Sequence, residues 1–164
     1  MYNIISLYIE PGNVFFSKKP HRMSTVVGNS VAVCLWDKKL KYGAMSHFMY
    51  PYIRDKKQAT LWYGNVAMIT TIKLMDRAGS NRHDIVAQLL GGARSKNENE
   101  LNNLGQENIS VARRALAHYH IPIISEDVGG IVGRKVVFDS TNGHIATLKV
   151  HDIRDNDWYS TSPE

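Results

Sequence analysis

The sequence predicts an α+β fold in which two helices gather on one side of mostly antiparallel sheets. Three observations carry this. Most apolar runs are short and bounded by Gly, Pro, Asn or Asp, as strands are. Only two stretches have sustained helical spacing. Strands and helices do not alternate strictly, and Asn142-Gly143 between two apolar runs is a strong hairpin signal.

In chain order, residues 2–8 and 14–18 read as short strands separated by the turn residues Pro11, Gly12 and Asn13. Residues 31–36 and 42–49 read as two antiparallel strands joined by the charged loop 37–41, with Gly28, Asn29 and Ser30 as a turn before the first of them. Residues 53–58 are a charged loop after Pro51. Over 63–78, Val66, Ile69, Leu74 and Met75 recur at helical spacing, Ala67 and Ile72 fill the same face, and Gly79 is the stop. Residues 84–90 are short and apolar before Gly91-Gly92, which favours a buried strand. Residues 94–103 are polar and read as a loop. Asn108 is a good N-cap for a second helix with Ile109, Ala112, Leu116 and Tyr119 on one face. That helix must end before Ile121-Pro122. Strands at 121–127, 134–139 and 144–150 complete about eight strands and two helices.

The 164 residues suffice for one domain with a sizeable core, expected over 1–151 with a loosely held tail at 152–164. One cysteine excludes an internal disulfide and suits a reducing, cytoplasmic setting. No apolar run is long enough to span a membrane, and the N-terminal residues lack a signal-peptide pattern. The net charge is +5, but its lysines and arginines are scattered, so no nucleic-acid groove is expected. No phosphate-binding loop, dinucleotide fingerprint or zinc-protease motif is present, and the seven histidines have no ligand spacing, so neither metal nor cofactor is expected.

One pair of residues has the chemistry of a nucleophile and its base. An antiparallel return of 42–49 against 31–36 brings Ser30 and His47 to the same end. Against this, turn serines commonly bond their own backbone, and any hairpin can juxtapose a serine and a histidine. Cys34 shares a strand face with Ser30 but lies roughly 13 Å further along, among Val, Leu and Trp. It reads as a small buried hydrophobe. Glu126 and Asp127 are adjacent in a strand and point to opposite faces, so they are no catalytic pair. The glycine pairs at 91–92 and 129–130 read first as backbone-shaping positions.

Four blocks resemble a known family. STVVGNSVAVCLWD followed by GAMSHFMYP is similar to Thr-x-x-Gly-Ser-Cys-Val-Ala-Val-Cys and Gly-x-Met-x-His-Phe-x-x-Pro of the CheD chemoreceptor glutamine deamidases. YGNVAM at 63–68, LLGGA at 89–93 with LGQEN at 104–108, and IPIISEDVGGIVGRKVVFDSTNG at 121–143 follow in the family's order. One block is weak evidence; four in order are specific.

The resemblance implies a layered α/β/β sandwich related to toxin deamidases. It implies that a cysteine thiolate attacks the side-chain amide of a glutamine in a methyl-accepting chemotaxis receptor, with a histidine as base and a hydroxyl residue orienting it. Residue by residue, the histidine is His47, and the hydroxyl is Ser24 by strict count, with Thr25 the neighbouring candidate. The nucleophile position is Ser30, because Gly-Ser-Cys has become Gly28-Asn29-Ser30. The family's second cysteine is Cys34. A hydroxyl ionises far less readily than a thiol, so the chain is expected to deamidate very slowly or not at all. The alternative is a non-catalytic module that binds receptors or a CheC-type phosphatase. Asp127 and Arg134 fall on family motifs and are expected to pair and brace the site.

Overall fold

The computed structural model describes residues 3–96 and 103–151. They form nine strands and two α-helices. In order these are β1 (Ile5–Tyr8), β2 (Asn13–Ser17), β3 (His21–Val27), β4 (Val31–Asp37), β5 (Gly43–Phe48), α1 (Gly64–Arg77), β6 (Ile85–Gly91), α2 (Leu104–His118), β7 (Ile123–Val128), β8 (Gly133–Asp139) and β9 (His144–Val150). The expected tail at 152–164 lies outside the described residues.

The strands make two sheets, ordered β1-β3-β8-β9 and β2-β5-β4-β6-β7. Pairing is antiparallel except for β1 with β3 and β6 with β7. Both helices cover the outer face of the five-stranded sheet, so the layers are helix, sheet, sheet. This is the α+β sandwich expected.

The alternation of β4 and β5 builds both cores. Val31, Val33, Leu35, Ala44 and Phe48 face the helices and pack with Met68, Ile72, Ile109 and Leu116. Ala32, Cys34 and Met45 face the other sheet and pack with Met23, Val27, Val136 and Phe138. Both strands are therefore apolar on two faces, as a middle layer requires. Each fully buried large side chain here contributes roughly 1.5–3 kcal/mol.

Two elements differ from the sequence expectation. β3 was not anticipated from periodicity, because Arg22 and Ser24 interrupt its apolar residues. Those two positions face away from the packed interior, whereas His21, Met23 and Thr25 are buried. The second helix starts not at Asn108 but at Leu104, capped by Asn103, whose side chain accepts from the Gln106 N–H. Asn108 is a fully buried residue inside α2. Gly105 in the first turn lets α2 pack directly on the Gly92-Ala93 backbone: a Cβ at that position would collide with the Gly92 and Ala93 carbonyls.

Candidate active site

The turn Gly28-Asn29-Ser30 carries the chain from the end of β3 in one sheet to the start of β4 in the other. Each of its carbonyls is held. Ala93 N–H donates to Gly28 O at 2.8 Å, and Gly92 N–H to Ser30 O at 2.8 Å. The Asn108 amide donates to Asn29 O at 3.0 Å and to Met49 O at 2.9 Å. One side chain from α2 thus ties the residue before Ser30 to the residue two beyond His47. Gly91 shows why this corner is glycine-rich. Its φ is +107°, and a Cβ there would run into the Ser30 carbonyl.

Within β5, Met45 and His47 point between the sheets. His47 sits beside Ala32 in register, two places beyond Ser30. The result is a line of three side chains. Ser30 Oγ lies 2.8 Å from His47 Nε2, and Thr25 Oγ1 lies 2.8 Å from His47 Nδ1. Thr25 Oγ1 also donates to the Ile9 carbonyl at 2.7 Å. Its one proton is therefore committed, and it faces Nδ1 as an acceptor. Nδ1 must carry the ring proton, which leaves the Nε2 lone pair directed at the Ser30 hydroxyl.

Ser30, His47 and Thr25 are fully buried. Burial lowers the His47 pKa from 6.5 to about 4, with the Ile9 carbonyl opposing the shift. The imidazole is neutral at pH 7 and is a weak base. The arrangement can orient a hydroxyl and receive its proton, but it holds no ion pair.

Of the two hydroxyl candidates, the structure brings Thr25 to His47 and does not bring Ser24. Adjacent residues in a strand project to opposite faces, and Ser24 lies on the outer side of β3. Cys34 is buried between the sheets, where desolvation pushes its thiol pKa up. Asp127 accepts from Arg134 at 3.2–3.3 Å, and Arg134 also donates to Gly129 O at 2.7 Å. This ties β7 to β8 at the end of the sandwich where β3 gives way to the Ser30 turn. Glu126 points the other way and takes Arg113 of α2. Asn108 is the residue near the site that periodicity misassigned. Among the described residues no three His, Cys, Asp or Glu side chains gather to hold a metal ion.

Fold and site together define a two-sheet sandwich with a hydroxyl–imidazole–hydroxyl line at one end, between its sheets. Comparison with known proteins places this class. Residues 49–149 match the family model described as CheD chemotactic sensory transduction. The chain is 36% identical over 140 residues to the probable chemoreceptor glutamine deamidase CheD of Sulfurimonas denitrificans, covering 84% of this chain and 90% of that protein. A similarly described CheD 1 of Anaeromyxobacter dehalogenans is 36% identical over 138 residues, 84% of this chain and 80% of its own. That of Trichlorobacter lovleyi is 32% identical over 137 residues, 83% and 85% of the two chains. The chain belongs to the CheD family.

Proposed function

We propose that this chain carries a CheD-type protein-glutamine deamidase site for chemotaxis receptors, with Ser30 in the nucleophile position, and that the serine leaves it inactive or very slow. The observation that carries this reading is the line Thr25–His47–Ser30, with both contacts at 2.8 Å. In the reaction, the nucleophile at position 30 attacks the side-chain amide carbon of a receptor glutamine. His47 Nε2 takes the nucleophile's proton and returns it to the departing ammonia. Water, activated by the same nitrogen, then releases glutamate and restores the nucleophile. Thr25 holds the ring in the tautomer these transfers need.

The main chain suits such chemistry. The peptide joining Asn29 to Ser30 is trans, and its carbonyl is turned to Asn108, so the Ser30 N–H points away from α2 and is the backbone donor adjoining the nucleophile position. What the site lacks is an easily ionised nucleophile. A thiol, near pKa 8.5, ionises far more readily than an alcohol facing the same imidazole, and serine sets the harder proton transfer.

That mismatch also supports the second reading, a cytoplasmic regulatory module that binds receptors or a CheC-type phosphatase without catalysis. Incubating the protein with receptor cytoplasmic fragments and reading glutamine-to-glutamate conversion by mass spectrometry separates the two. The expected result is no detectable conversion by the unsubstituted chain and clear conversion by Ser30→Cys. Adding His47→Ala to Ser30→Cys should then lower the rate about 10²- to 10⁴-fold. If both forms bind receptors and neither converts them, the module reading stands. Rapid conversion by the serine form that disappears in His47→Ala overturns the proposed inactivity.

A further inference from the structure

On the opposite face of the five-stranded sheet from Ser30 and His47, the helix layer carries a groove that the deamidase reading does not use. Two adjoining depressions, of about 570 and 540 Å³, share Tyr52, Val111 and Arg114. Along α2 the groove follows Glu107, Ser110, Val111, Arg114, Ala115 and His118. This is one stripe of a helix, and it runs roughly 17 Å, about three turns. The far wall is Ile69 of α1 and the segment holding Tyr52 and Arg54. That segment is fastened to α1, since Asn65 accepts from Ile53 N–H at 3.1 Å and donates to Ile53 O at 2.9 Å. The wall is therefore set before anything docks.

We propose that this groove docks an acidic amphipathic helix of a partner protein, about three turns long, with an apolar ridge flanked by carboxylates. The apolar surface is exposed: Ile69 is 38% and Tyr52 57% accessible. Among the described residues the charges are uncommitted. Arg22, Arg82, Arg113 and Arg134 all pair with carboxylates, whereas Arg54 and Arg114 beside the groove have no ion pair among the described residues. Two free guanidinium groups flanking an apolar floor complement a helix with acidic flanks. Among the described residues lining the groove the single carboxylate is Glu107, at the α2 N-terminal end, and it asks for a neutral or basic partner residue there. Because α1 and α2 satisfy their own backbones, recognition here runs through side chains and not through an added strand. A second copy of this chain fits poorly, since it is itself basic, at +5, and would bring arginines to a basic groove.

The probe is a fluorescein-labelled helical peptide of about four turns, with leucines at i, i+3, i+4 and i+7 and glutamates beside them. A twin carries lysines in place of the glutamates. Fluorescence anisotropy should give micromolar binding of the glutamate peptide, weakening with salt, and at least tenfold weaker binding of the lysine twin. Arg114→Glu and Ile69→Glu, both exposed and checked for folding by circular dichroism, should each weaken the glutamate peptide about tenfold or more. Arg54→Glu with Arg114→Glu should reverse the preference towards the lysine twin. No binding, equal binding of both peptides, or indifference to Arg114→Glu overturns the proposal. A dimer in sedimentation that Ile69→Glu dissociates assigns the groove to a second copy and overturns it as well. None of these readouts depends on deamidation, so the groove and the catalytic site fail or stand separately.

Discussion

At the scale of single residues, the site depends on which of two neighbouring hydroxyls meets the histidine. Ser24 is the candidate by strict count along the chain and Thr25 its neighbour, but only Thr25 projects between the sheets, onto Nδ1 of His47. In the Ser30→Cys background, Thr25→Val keeps the side chain's shape and removes the oxygen that fixes the ring. The expected loss is about ten- to a hundredfold in turnover. Ser24→Ala in the same background should change turnover less than about twofold. Equal losses in both, measured as initial rates on receptor fragments, would remove the orienting role from Thr25. The Ser30–His47 juxtaposition and the burial of Cys34 were both legible in the sequence, because a hairpin and strict alternation determine them. The choice of Thr25 was not. It depends on which face of β3 lies against β5, and those strands belong to different sheets with no hydrogen-bonded register between them.

At the scale of elements, apolar patterning identified α1 and the sandwiched strands, and it failed where polar residues are structural. β3 went unseen because its outward residues are an arginine and a serine. The start of α2 was misplaced because an asparagine before an apolar run reads as a cap. Asn108 in fact spends its amide across elements, on Asn29 O and Met49 O, and its own Oδ1 is buried without a partner among the described residues. A buried asparagine with an orphaned acceptor is costly, so its two donated bonds must outweigh that cost in keeping the Ser30 turn beside the end of β5. Asn108→Ala leaves two partly buried carbonyls unsatisfied. The expected destabilisation is about 2 kcal/mol in urea unfolding with an unchanged m-value. Asn108→Asp should not rescue it, because a carboxylate has no N–H to donate. Stability indistinguishable from the unsubstituted chain would show that the clamp carries no load.

At the scale of the whole molecule, the two sheets are joined by an apolar layer and by polar ties at both of its ends. At one end Trp36 donates to Ser140 O at 3.0 Å and Gln88 to Gly143 O at 2.7 Å. At the other, Thr25 meets His47, and Arg134 meets Asp127. The tie through His47 titrates, and it makes the cohesion of the sheets depend on pH. In the folded chain burial holds the His47 pKa at about 4, against 6.5 for an unburied histidine. As pH falls below about 6.5 the unfolded chain binds a proton that the folded chain refuses until about pH 4. The stability associated with neutral His47 is therefore present in full above about pH 6.5 and is lost as pH drops towards 4. By linkage the loss amounts to about 2 kcal/mol between neutral pH and about pH 5. Carboxylates titrate over part of the same range, so the measurement is a difference. Urea unfolding of the unsubstituted chain and of His47→Gln, each near pH 7.5 and near pH 5, should show a steeper decline in the unsubstituted chain by about that amount. Parallel declines would mean that the imidazole is protonated as easily between the sheets as in water, and the account of a dry, neutral base beside Ser30 would go with it.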